Sequence, residues 1–213
     1  MKVIGITGGV GAGKSLVLSL LKEMTNCDII MADDVAKSMY QKGFKAYDEL
    51  VEFFGEAILN KDHSKIDLEK LSKLIYKEPN KRMLVNSIVH PLTKELIIER
   101  ITKHKIEEDV DYCFVEAALL LEDHYDNFCD EVWYIHASKE TRRERLKSTR
   151  GYSDEKIDAI FNAQLSEEEF KSKSQHVINN EESIDLVKGK LATLLNLWYI
   201  KRNLNVKFNT SWP

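Results

Sequence analysis

The sequence predicts an α/β fold, a parallel sheet flanked by helices, on three observations. Short apolar runs at 3–6, 27–32, 112–117 and 131–136 alternate with segments of helical period. A glycine-rich turn, GITGGVGAGKS at residues 5–15, joins the first run to the first helical segment. The composition, 43% hydrophobic and 31% charged over 213 residues, is that of a globular chain with room for one sizeable core.

Taken in order, residues 3–6 form an apolar run stopped by glycines, as a buried parallel strand would be. Residues 15–24 have helical period, with Leu16, Leu20 and Met24 on one face and Val17 and Leu21 beside them. A second strand is expected over 27–32, ending at Asp33. From 34 to about 105 the pattern is helical almost throughout, punctuated by Gly43 and Gly55. Asp67 offers an N-cap, and Pro79 precedes a further start at Asn80. Pro91 falls inside the periodic segment 80–105 and is expected to kink or divide it. After the strands at 112–117 and 131–136 come charged helices over 138–173, with Ser153 as one cap and SEEE at 166–169 as a capping box. A short run at 176–178 precedes a final helix with Val187, Leu191, Leu194 and Trp198 on its apolar stripe. The helical block after the second strand is too long for a simple crossover and is expected to be an inserted substrate-binding lobe.

Several function classes are disfavoured at the same level. No apolar run approaches the ~20 residues that span a bilayer, so no membrane partner is expected. The first residues carry one lysine and then enter the glycine turn, unlike a signal peptide. Cys27, Cys113 and Cys129 are widely spaced with no C-x-x-C pair, which reads as buried thiols in a reducing, cytoplasmic setting. A net charge of −4 gives no reason to expect nucleic acid as the main partner.

Gly8-x-x-x-x-Gly13-Lys14-Ser15 fits the P-loop pattern in its required place between a strand and a helix. Glycines let consecutive N–H groups wrap a phosphate without Cβ clashes, and the positive end of the next helix faces the same anion. The expected ligand is a nucleoside triphosphate. Gly9, Gly11, Ala12, Gly13, Lys14, Ser15 and Leu16 are the candidate ATP-binding residues, with Lys14 on the β- and γ-phosphates and the Ser15 hydroxyl on Mg²⁺. The sheet is therefore expected to be of P-loop NTPase type. A GTPase reading fails, because NKDH at 60–63 lacks the acid of the guanine-reading motif and no D-x-x-G occurs.

A small-molecule kinase needs a base near the acceptor hydroxyl, a lobe for the acceptor and arginines over the phosphates. Asp33, at the carboxyl end of the second strand, is the candidate base, and it could also cap the following helix. Glu116, at the end of the third strand, could orient a magnesium-bound water. In TRRERLKSTRGYS, residues 141–153, Arg142 and Arg145 share one helix face while Arg143, Lys147 and Arg150 share another. At least one of these arginines is expected to neutralise charge on the transferring phosphoryl group. No aromatic platform is interleaved with them as nucleic-acid binding would want.

The glycine loop, MADDVAK (31–37), IVHPL (88–92), EAALLLED (116–123), ERL…RGYS (144–153), NAQ (162–164) and HVINN (176–180) occur in the order and spacing of dephospho-coenzyme A kinases, and the resemblance covers nearly the whole chain. It implies transfer of the ATP γ-phosphate to the ribose 3′-hydroxyl of dephospho-CoA, the last step of coenzyme A synthesis, with ATP and Mg²⁺. It also implies three parts: a nucleotide-binding core (1–33, 110–138 and 175–213), a helical CoA-binding domain (34–109) and a lid (139–174). By match to the family pattern, Asp33, Lys14 and Arg145 are the catalytic residues, Thr7, Asp33 and His90 contact the acceptor, and Arg142 and Arg150 belong to the lid. Met31 stands where the family's D-A-D has its first aspartate, and Ala118 replaces the proline of P-L-L. Leu16 stands where threonine is common, Thr149 where the second lid arginine falls, and Ile160 where an arginine often precedes the glutamine. The competing readings are a P-loop kinase of another nucleotide or small metabolite and a non-catalytic nucleotide sensor. Asp33 and Arg145 argue against the sensor, since binding alone needs neither.

Overall fold

The computed structural model describes residues 1–209 apart from Lys77, with side chains as far as Asn196. Its strands β1 (Lys2–Thr7), β2 (Cys27–Met31), β3 (Tyr112–Glu116), β4 (Glu131–His136) and β5 (His176–Asn179) form one parallel sheet in the order β2-β3-β1-β4-β5. Around it run helices α1 (Lys14–Met24), α2 (Ala32–Ser38), α3 (Lys45–Phe54), α4 (Leu68–Ile75), α5 (Pro79–Glu107), α6 (Lys139–Arg150), α7 (Asp154–Asn162), α8 (Glu167–Ser172) and α9 (Ile184–Asn209).

Alternate residues of each strand feed opposite faces of the sheet, and both faces are covered, as a parallel sheet demands. Ile4, Ile6, Phe114, Trp133 and Ile135 pack with Val17 and Leu21 of α1 and with Val187 and Leu191 of α9. Val3, Cys113, Val115, Val132 and Tyr134 pack on the other side with Ile97 and Ile101 of α5 and Phe170 of α8. A third cluster, built on Met39, Tyr47, Leu50, Ile58, Leu71, Val85 and Val89, holds α2 to α5 together. The helical block thus has a core of its own. Leu194 is partly buried against the first cluster, whereas Trp198, expected on the same stripe, lies outside the described side chains.

Helix α5 serves both bodies, and it corrects one expectation. It continues through Pro91 for 29 residues without being divided. A proline inside a helix costs about 3 kcal/mol. Here Val85, Ile88 and Val89 are buried before it and Thr93, Ile97 and Ile101 after it. At about 1.5–3 kcal/mol for each large apolar side chain, that burial outweighs the lost backbone bond. The Thr93 hydroxyl also donates to the Val89 carbonyl at 2.7 Å, across the proline.

A second correction concerns the end of β2. The strand stops at Met31 and α2 begins at Ala32, so Asp33 is the second helical residue and not a cap. Met31 occupies the N-cap position, with no side-chain cap bond. Three caps expected from the sequence form: Asp67 accepts from the Glu69 and Lys70 amides, Ser153 from Lys156, and Ser166 and Glu169 form a full capping box. Ser138, expected only as the start of the charged helices, also caps α6 by accepting from the Thr141 amide.

The strand order reverses direction beside β1, whose neighbours are β3 and β4. In open parallel sheets the crevice at the carboxyl ends of such strands is where ligands bind. The glycine loop leaves β1 at that crevice.

Candidate active site

The loop from Gly8 to Gly13 opens α1, with Gly13 in the left-handed region (φ 87°) at the N-cap position. The residue there must be small for two reasons. Side chains rarely adopt that φ, and a Cβ at Gly13 would lie 2.2 Å from the Asn180 amide nitrogen. The outward carbonyls of the loop are held from outside. Asn180 Nδ2 donates to Ala12 O at 2.8 Å, and Arg145 Nη1 donates to the same oxygen at 3.3 Å. Arg145 Nη2 donates to Asn180 O at 2.8 Å, which closes a ring. Arg142 Nε donates to Val10 O at 2.9 Å. With carbonyls fixed outward, the remaining loop amides and the start of α1 form an electropositive cradle.

Lys14 is the first residue of α1, and its Nζ donates to Gly8 O at 2.8 Å and lies 3.4 Å from Glu116 Oε1. Glu116 ends β3 with only 8% of its surface exposed. Burial pushes its carboxyl pKa up, the Lys14 ammonium opposes that push, and Asp33 and Asp34 add to it. Ser15 and Leu16 are exposed in the first turn of α1, and Thr7 is buried at the end of β1.

On the other side of the crevice, Asp33 lines a cavity together with His90, Thr93, Asp123 and Tyr125. His90 Nδ1 is 3.0 Å from Asp123 Oδ2, an arrangement that fixes the imidazole. Met31 and Glu116 are register partners on β2 and β3, so Asp33 leaves the sheet beside the strand that carries Glu116.

Loop, lysine and carboxylates therefore meet at the carboxyl ends of β1, β2 and β3. The structure does not bring every arginine there. Arg143 pairs with Asp154 and Asp158, and Lys147 with Asp154, which ties α6 to α7. Arg150 is exposed and sits over the Tyr152 ring. Two residues that appear in the quoted motifs without a role, Asn180 and Gln164, hold the loop directly: Gln164 Oε1 accepts from the Val10 amide at 3.3 Å. The sequence carries no local signal for this, because the partners lie 154 and 168 residues away. Asp123 appears in the sequence only as the last residue of EAALLLED, with no role of its own.

A P-loop on a parallel sheet of this order, facing a side-chain cavity that carries a carboxylate, defines the class of P-loop small-molecule kinases. The profile of the family described as Dephospho-CoA kinase matches residues 2–185. A dephospho-CoA kinase from Carboxydothermus hydrogenoformans is 32% identical over 198 residues, 93% of this chain and 95% of that one. One from Bacillus cereus is 33% identical, covering 93% and 98%. The chain belongs to the dephospho-CoA kinase family. Among solved structures, a Thermus thermophilus protein superposes with a TM-score of 0.74 at 26% identity, covering 92% of this chain and 96% of that one. A shikimate kinase from Acinetobacter baumannii shares the fold at a TM-score of 0.51 and 12% identity, over 92% and 94%.

Proposed function

We propose that this chain transfers the γ-phosphate of ATP to the ribose 3′-hydroxyl of dephospho-CoA, giving coenzyme A and ADP. The observation that carries the reading is the meeting of the glycine loop and Lys14 with the Asp33 cavity across Glu116. In the transfer, the 3′-oxygen forms a bond to the γ-phosphorus while the bond from that phosphorus to the β,γ-bridging oxygen breaks. The hydroxyl proton passes to Asp33 and then to solvent, and the pair of electrons from the broken bond leaves on ADP. Lys14 supplies a point charge to the β- and γ-phosphates. Arg145, anchored on Ala12 O and Asn180 O at the mouth of the loop, adds a guanidinium beside them. His90, oriented by Asp123, and Thr7 contact the acceptor.

The donors near Lys14 are hard oxygens, the Ser15 hydroxyl and the Glu116 carboxylate, and among the described residues no cluster of three or more His, Cys, Asp or Glu forms a cage. Mg²⁺ takes one or two protein oxygens and fills its octahedron with phosphates and water, so this set fits it. When bound, the ion neutralises charge on the β- and γ-phosphates. Ser15 would hold it directly and Glu116 through water. The three unpaired cysteines suit a reducing compartment, and no helix among the described residues is long and apolar enough to cross a membrane.

In this reading 34–109 holds the acceptor and 139–174 closes over ATP. Turnover with ATP and a panel of acceptors tests the function: dephospho-CoA should be preferred, and preference for another metabolite would overturn it. Hydrogen exchange tests the division. ATP should protect mainly 5–16 and 139–174, and dephospho-CoA mainly 34–109; identical protection by both would sink the division.

A further inference from the structure

We propose that Arg142 is a positioning residue of the glycine loop, one that fixes the Val10 peptide and so sets nucleotide affinity without touching a phosphate. The proposal rests on the reading that this loop binds ATP. Arg142 is only 8% exposed, although it carries a permanent charge. Arg145 beside it is only partly buried, whereas a guanidinium buried as deeply as that of Arg142 is spent on protein partners and not on a ligand arriving from solvent. Arg142 directs Nε to Val10 O at 2.9 Å and Nη2 to Gln164 Oε1 at 2.6 Å, and its Cζ lies 4.4 Å from the centre of the Phe161 ring.

Gln164 Oε1 also accepts the Val10 amide at 3.3 Å. Both polar groups of the Val10 backbone are therefore held from the lid side, one by α6 and one by Gln164, two residues past the end of α7. The ring of Val10, Arg142 and Gln164 fixes one peptide plane of the loop and, with it, the direction of its neighbours' amides. Gly9 supports the same assignment. A Cβ there would lie 2.3 Å from Arg142 Cζ, so the missing side chain makes room for the guanidinium.

A phosphate contact and a loop support predict different kinetics. Loss of a γ-phosphate contact lowers kcat and spares ADP, whereas loss of loop shape weakens ADP and ATP alike. The experiment measures calorimetric affinities of Arg142→Met and Gln164→Ala for ADP and for ATP with magnesium, alongside steady-state kinetics. Hydrogen bonds from a charged donor are strong enough that affinity for both nucleotides should fall about tenfold in Arg142→Met. KM for ATP should rise by a similar factor, with kcat and KM for dephospho-CoA within about twofold of wild type. Arg142→Lys should not restore affinity, because one ammonium cannot span both acceptors. The double variant should be no weaker than Arg142→Met, since both remove the same ring. Unchanged ADP affinity with lost kcat would make Arg142 a phosphate ligand, and a fall in melting temperature alone would make it only structural; either overturns the proposal. If Arg142→Met does not fold, Gln164→Ala opens the same ring while leaving the Phe161 stack in place. A wild-type protein that failed to bind ADP would instead break the underlying ATP reading.

Discussion

The two halves of the crevice are built on opposite plans. On the glycine-loop side, the donor half, the backbone forms the cradle around Lys14, and side chains brace it from behind: Arg142, Arg145 and Asn180 grip the carbonyls of Val10 and Ala12. On the acceptor side the side chains themselves line the cavity, and Asp33, His90 and Asp123 come from α2, α5 and the turn after β3. Arg142 and Asn180 are buried while Asp33 is exposed. A phosphate is the same anion in every nucleotide and suits a fixed cradle. An acceptor must be told from its competitors, which calls for placed functional groups. The donor half should therefore fail by losing shape, and the acceptor half by losing chemistry.

The largest effect should come from the acceptor half. Asp33→Asn removes the group assigned to take the ribose proton, so kcat should fall about 10²–10⁴-fold. Because Asp33 makes no capping bond, its melting temperature should move little. Early melting with normal turnover would reverse the assignment and point to Glu116 as the next candidate base. Next in size is Lys14→Ala, which removes a charge from the transferring phosphate at the centre of the donor half. A loss of roughly two or more orders of magnitude in kcat/KM for ATP is expected. Near-normal turnover at saturating magnesium-ATP would break the donor assignment altogether.

Asp123→Asn should act more gently and on one substrate only. It weakens the carboxylate that orients His90 at 3.0 Å, so KM for dephospho-CoA should rise several-fold while KM for ATP stays put. Equal rises in both would show that the two halves are not separable in this way.

The smallest effect lies outside the crevice and serves as a control. His104 sits between Asp109 at 2.8 Å and Asp28 at 3.0 Å, with Arg100 also on Asp28. Burial pulls its pKa down, but the hydrogen bonds to the two carboxylates outweigh burial and raise it above 6.5. A raised folded pKa means the protonated form is favoured by folding. The stabilisation is full below about pH 6.5 and fades as pH rises through the folded value. Melting temperature should thus decline slightly between pH 6.5 and 8.5 in wild type and stay flatter in His104→Gln, with KM values untouched in both. A variant with the same pH slope as wild type would show that the clasp contributes nothing.

The donor half was the more legible in the sequence, and the reason is range. The loop, its strand and its helix are consecutive, so spacing alone identifies Gly8, Gly13, Lys14 and Ser15, and β4 (Glu131–His136) falls where alternation places it. The capping box at Ser166 is likewise local. What spacing could not show is who holds the loop, since Gln164 and Asn180 act across more than 150 residues. Nor could it show the orientation of His90, because Asp123 reaches it only once the turn after β3 packs against α5. The misplaced boundary at Ala32 has a different cause. An alanine is compatible with the end of a strand or the start of a helix, and packing chose the helix. Pro91 misled for a related reason: its local cost is real, but burial on both sides of it decides the matter.

The ring that joins Ala12, Arg145 and Asn180 also bears on how the protein is made. The glycine loop leaves the ribosome long before the residues that brace it, so two of its carbonyls wait for partners at 142, 145 and 180. At about 5–20 residues per second, roughly ten seconds or more separate the synthesis of the loop from that of its last partner. During that interval the nascent chain holds the full phosphate-binding motif without the clasp that shapes it. Nucleotide capture thus becomes a late event in biogenesis, and a chain cut short before Asn180 would carry the motif without its finished cradle.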